Sequence, residues 1–144
     1  MTITAPPSPS RAVTGWRDRS APLARRAALA ASVVLGLGLA MQLVSAGAAV
    51  FVNPEWWLFH AEAVHWFDWL SPVAIVLGFL GRLSRRFKVL SVSVVVLVFL
   101  QYFTAGLRTS ASFGAGAALH PLNGFLLFWA VTEMLRCAWA QRRG

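Results

Sequence analysis

Four long apolar runs, separated by short polar or charged interruptions, divide the chain: 27–52, 63–83, 89–107 and 119–139. A helix needs about 20 apolar residues to cross a hydrocarbon core, and each run approaches or exceeds that length. The pattern predicts an all-α, four-helix transmembrane bundle. Asn53-Pro54-Glu55 ends the first run, because proline lacks a backbone donor and disfavours helical geometry in the residue before it. Arg82, Arg85, Arg86 and Lys88 make a short cationic loop, whereas the small residues of 109–118 predict a flexible one. Pro121 falls in the first turn of the last helix, where proline is tolerated. Trp56, Trp57, Trp66 and Trp69 crowd the start of the second run like an interfacial aromatic belt.

Outside the runs, residues 1–26 hold four of the seven prolines and five arginines, which predicts a disordered basic tail; residues 140–144 form a second tail. Paired arginines before an apolar run resemble a secretion signal. This run continues for 26 residues, beyond the 7–15 of a signal's apolar region, so an uncleaved membrane anchor is expected.

Composition fits the same picture. Apolar residues make up 58% of the chain and charged residues 12%, so the solvent for most of it is lipid. The net charge of +8 does not indicate nucleic acid, because the cations flank apolar runs rather than interleave with aromatics. Twelve of the thirteen fall on one side of the membrane and Arg108 alone on the other, which orients both termini to the cytoplasm. The preference for Arg over Lys, with abundant Ala and Gly, suggests a bacterial genome and hence the cytoplasmic (inner) membrane. Cys137, the only cysteine, is expected to be a free thiol.

Polar side chains inside a span are costly in lipid and usually face the bundle interior. Gln42, His65, Asp68, Gln101, His120 and Asn123 all lie 13 to 17 residues from the cation marking the cytoplasmic end of their helix. At about 1.5 Å per residue these depths agree within roughly 6 Å, which predicts one polar layer near the outer surface. Glu133 stands apart, three residues before Arg136, and an intrahelical ion pair accounts for it. Glu62, His65 and Asp68 share one helix face. His60 is displaced from His65 by about 140° and is expected in the headgroup region.

Three readings of these residues compete. The polar groups serve as hydrogen-bonding glue between helices; His65 and His120 are axial ligands of haem b; or His60, Glu62, His65 and His120 bind a divalent metal, although their spacing is not that of the His-Glu-x-x-His motif. No nucleophile triad, phosphate-binding loop or paired internal carboxylate can be assembled, so no enzymatic activity is assigned.

Two stretches, Phe59-His60-Ala61-Glu62-Ala63-Val64-His65 and Leu119-His120-Pro121-Leu122-Asn123-Gly124, resemble those of a bacterial family of small four-helix membrane proteins of unassigned function. More distantly, Glu62-Ala63-Val64-His65 is similar to the Glu-x-x-His element of haem A synthase, one half of which is a four-helix bundle. That resemblance implies His65 and His120 as haem ligands with Glu62 as a nearby functional carboxylate. Pro121 directly after His120, and one four-helix unit in place of two, depart from the synthase. The expected function is therefore an inner-membrane protein binding haem b for electron transfer, with a quinone or a cytochrome as partner. The alternative is a cofactor-free accessory subunit held together by its polar layer.

Overall fold

The computed structural model describes residues 16–109, 112 and 114–142. Among these the chain is helical, with α1 Trp16–Phe51, α2 Trp56–Ala63, α3 Leu70–Leu80, α4 Arg85–Gly106 and α5 Leu119–Ala140. Four helical segments are long and apolar enough to cross a membrane, namely Ser20–Phe51, Trp56–Leu80, Arg85–Thr109 and Gly114–Ala140. The protein is a multi-pass membrane protein with the expected all-α, four-helix architecture.

The helices run alternately up and down around a square. α1 packs on the α2–α3 span and on α5, and α4 packs on α3 and α5, so the second and fourth spans lie diagonally opposite each other. One end of the bundle is basic: Arg25 Nε donates to the Gly81 carbonyl at 2.9 Å, and Gln141 ties the α5 terminus to Ser84, accepting from its backbone N–H at 2.7 Å. Ser84 caps α4 by accepting from the Phe87 N–H at 3.3 Å. The opposite end carries the histidines.

Several boundaries differ from the sequence pattern. α1 begins at Trp16, so part of the expected tail is helical, while residues 1–15 lie outside the described residues, as do 110, 111, 113, 143 and 144. The loop expected to be flexible contains two 3₁₀ turns, Leu107–Thr109 and Gly114–Ala118.

The second span starts at Trp56 rather than Ala63, because Asn53 Oδ1 accepts from the Glu55 N–H at 2.9 Å and closes a turn directly into the helix. This span then breaks. A 3₁₀ turn occupies Val64–Trp66, Phe67 leaves helical geometry at φ −138°, and α3 restarts at Leu70. Pro72 supplies the reason: it has no N–H for the Asp68 carbonyl, and its ring would clash with that carbonyl in a continuous helix.

The basic half of the bundle is close-packed. Phe87, Val94, Val131, Met134 and Ala138 are buried there in contact with Ala28, Ala74 and Leu83. Gly78 makes the space for Phe87, since a Cβ on it would lie 3.0 Å from the ring; a Cβ on Gly38 would lie 2.6 Å from Phe67. Glu133 pairs with Arg136 at 3.1 Å, as expected, and also with Arg86 at 2.5 Å, which joins α5 to α4.

Candidate functional site

The earlier helix start puts His60 inside the bundle. On α2, His60 and Ala63 fall on one helical face, Ala63 buried and His60 half-buried, and Phe67 beyond the 3₁₀ turn is buried as well. This face turns toward α1, where the His60 Nδ1–H is shared between the Gln42 carbonyl at 3.1 Å and Ser45 Oγ at 3.0 Å. With its Nδ1 proton held in this way, His60 presents Nε2 as a lone pair, and Nε2 has no hydrogen-bond partner among the described residues. His60, expected apart from the polar layer, thus contacts Gln42 and Ser45 of α1.

His120, on α5, faces it across the bundle. The two imidazole centroids are 6.5 Å apart with their planes at 63°. His120 Nδ1 donates to the Gln101 carbonyl at 3.1 Å, with Thr104 Oγ1 at 3.4 Å. Its Nε2 accepts from the Gln101 side-chain amide at 3.1 Å. Asn123 completes the cluster, donating from Nδ2 to the Leu97 carbonyl at 2.9 Å and to Gln101 Oε1. Donors and acceptors therefore run in one direction, from Asn123 to the Gln101 side chain, to His120, and back to the Gln101 backbone.

Two buried atoms in this region lack partners among the described residues: Gln42 Nε2, a donor, and Asn123 Oδ1, an acceptor. A buried polar group left unpaired costs about 1–3 kcal/mol, so two at one site mark it as incompletely satisfied by the protein alone.

His65 and Asp68 do not join the interior cluster. The 3₁₀ break turns them to the lateral surface, where the His65 side chain is 59% exposed. The His65 ring stacks on Tyr102 with centroids 5.8 Å apart, and its Nδ1 lies 3.1 Å from the Tyr102 hydroxyl. That hydroxyl donates to Asp68 Oδ2 at 2.6 Å. Glu62 is exposed, away from both clusters. The six residues expected to form one layer are thus divided: Gln42, Gln101, His120 and Asn123 lie inside with His60, Ser45 and Thr104, while His65 and Asp68 lie outside with Tyr102.

Gln101 and Tyr102 are consecutive residues of α4 and join the two clusters back to back. Sequence reasoning missed Tyr102 and admitted His60 only to the metal reading, not to the haem pair. The stripe His60, Ala63, Phe67, Ser71, Ala74, Gly78 was the available signal for His60, because its small residues mark the packed face of the span. Tyr102 is the only tyrosine of the chain, placed in the same half of the bundle as the histidines.

Residues 42–110 match a family of unknown function, DUF6220. The match takes in the end of α1, the whole second span and α4, including His60, His65, Gln101 and Tyr102, and stops before His120. No curated protein and no solved structure matches the chain. Over just under half of its length, then, this four-helix membrane protein is similar to a family whose function is unknown.

Proposed function

We propose that this protein holds haem b between His60 and His120 and carries electrons in a bacterial cytoplasmic membrane. The observation that carries the reading is the histidine pair itself. Two imidazoles on diagonally opposite spans meet across the bundle, each with Nδ1 tied to a backbone carbonyl. A histidine that ligates a metal through Nε2 commonly has its other nitrogen fixed in this way, which sets the tautomer and the ring orientation.

The residues fit the group by their chemistry: His60 and His120 would hold the iron through imidazole nitrogens, from rings whose centroids lie 6.5 Å apart across the bundle. The interior of a four-helix bundle is a recurrent place for cofactors, and the unpaired Gln42 donor and Asn123 acceptor are free to meet a bound polar group. Haem would supply one-electron chemistry. The resemblance to haem A synthase points to His65 as a ligand, but its stacking on Tyr102 at the lateral surface supports His60 in that role.

One observation favours the second reading, a cofactor-free accessory subunit: His120 Nε2 already accepts from the Gln101 amide, so the pair is also satisfied as interhelical glue. An absorption spectrum separates the two. Protein purified from cells supplied with haem precursor is expected to show a stoichiometric Soret band that sharpens on reduction, is lost in His60→Ala and in His120→Ala, and persists in His65→Ala. A folded, colourless protein would overturn the haem reading and leave the glue. A band lost in His65→Ala and retained in His60→Ala would restore the ligand pair implied by the synthase.

A further inference from the structure

We infer that the lateral cluster of His65, Tyr102 and Asp68 is a binding and deprotonation site for a membrane-dissolved hydroquinone. The inference rests on the haem reading only for the destination of the electrons.

The cluster is oriented like a proton wire. The Tyr102 hydroxyl spends its one proton on Asp68 Oδ2 at 2.6 Å, so its contact with His65 Nδ1 at 3.1 Å requires the imidazole to donate. His65 therefore carries its proton on Nδ1 and offers the Nε2 lone pair. Nε2 has no partner among the described residues, on a side chain that is 59% exposed. Asp68, 3.8 Å from His65 Nδ1, is placed to stabilise the imidazolium formed when Nε2 takes up a proton.

A base on the lateral surface of a membrane span faces lipid, so its substrate must be dissolved in lipid and carry an acidic hydrogen. Trp66 and Trp69 flank the site from the break in the second span and are 63% and 56% exposed. Phe99, three residues before Tyr102 on the same face of α4, is 73% exposed. A polar pair able to bind a hydroxyl, within a rim of exposed aromatic rings, suits a flat aromatic diol better than a saturated lipid, which would gain nothing from stacking.

The chemistry balances. A hydroquinone becomes a quinone by losing two electrons and two protons. The first proton passes from a substrate O–H to His65 Nε2 as the Nδ1 proton moves through Tyr102 to Asp68; the second follows the same path once Asp68, whose side chain is 24% exposed, has released its proton to water and the relay has reset. The two electrons would leave one at a time to one-electron acceptors, the chemistry that a haem held by His60 and His120 would supply. Gln101, which contacts His120, adjoins Tyr102 in the chain, so the proton and electron sites lie on neighbouring residues of one helix turn.

Binding is tested without haem chemistry, because quinones quench tryptophan fluorescence and Trp66 and Trp69 border the site. Decyl-ubiquinone titrated into the detergent-purified full chain is expected to quench emission saturably, above the linear quenching of simple partitioning. His65→Ala and Asp68→Asn should raise the half-saturating concentration about tenfold, the loss expected for one strong hydrogen bond. Tyr102→Phe keeps the ring and should raise it less. Glu133→Gln, at the basic end, should leave it unchanged. Linear quenching in the wild type, or saturable quenching indifferent to His65→Ala and to the milder His65→Gln, would overturn the inference. Saturable, His65-dependent quenching in a colourless protein would keep the quinone site and remove the haem. A Soret band with only linear quenching would do the reverse.

Discussion

The two halves of this bundle solve the packing problem differently. In the basic half the interior is apolar and filled: Phe87 and Met134 are fully buried, and Gly78 gives up its side chain to admit the Phe87 ring. In the histidine half the buried positions include Ser45, Ala49, Ala63, Thr104 and Asn123 beside Phe67 and Leu127, with the half-buried Gln42, His60, Gln101 and His120 among them. Lipid tails are as apolar as leucine, so neither half gains from the hydrophobic effect that drives soluble folding. The basic half relies on van der Waals contact, which needs close fit, and the histidine half on hydrogen bonds, which need direction. One half is suited to holding the helices in place and the other to meeting a ligand.

The sharpest way to break this comparison is a cavity in the basic half. Phe87→Ala should cost about 3–5 kcal/mol, the range for emptying a fully buried aromatic site, because the position is 0% exposed. Reversible unfolding in mixed micelles, followed by circular dichroism, reads this directly. A cost below about 1 kcal/mol, no more than one interhelical hydrogen bond in a membrane, would mean that the basic half does not hold the bundle together.

The architecture was legible in the sequence because span length and charge placement are one-dimensional signals. The apolar runs correspond to the four spans, and Glu133 meets Arg136 three residues along its helix as its spacing requires. The site was less legible because it depends on where a helix starts and breaks. Treating Trp56 and Trp57 only as interfacial anchors hid the fact that they also begin α2, and this moved His60 out of the bundle. Overlooking Pro72 kept the second span continuous, which left His65 facing inward; the break turns it out. Equal depth for six polar residues carries no angular information. Depth alone cannot separate Gln101 from Tyr102, adjacent residues that meet different partners from different faces of α4.

A second, smaller test lies in the histidine half. Asn123 is 3% exposed and donates to both Leu97 and Gln101. Replacing it with Leu should cost about 0.6–1.7 kcal/mol, the span measured for interhelical hydrogen bonds in membranes. The Gln101→Leu, Asn123→Leu double-mutant cycle should show coupling, because each side chain is a partner of the other. Additive losses would mean that the two residues act separately and that the hydrogen-bonded chain ending at His120 is not a unit.

The smallest expected effect is the most informative about His60. Ser45 Oγ donates to the Gln42 carbonyl at 2.9 Å and sits 3.0 Å from His60 Nδ1, yet that same carbonyl also receives the His60 proton. Ser45→Ala therefore removes one of two acceptors and leaves no buried donor unpaired, so a loss of about 0.5 kcal/mol or less is expected in the same unfolding experiment. The orientation of His60 should survive, and with it any Soret band the wild type shows. A loss as large as that of Asn123→Leu would mean that the hydroxyl, not the Gln42 carbonyl, fixes the imidazole. The His60 proton would then rest on a side chain that can rotate, and the symmetry with His120, whose Nδ1 rests on a backbone carbonyl, would be broken.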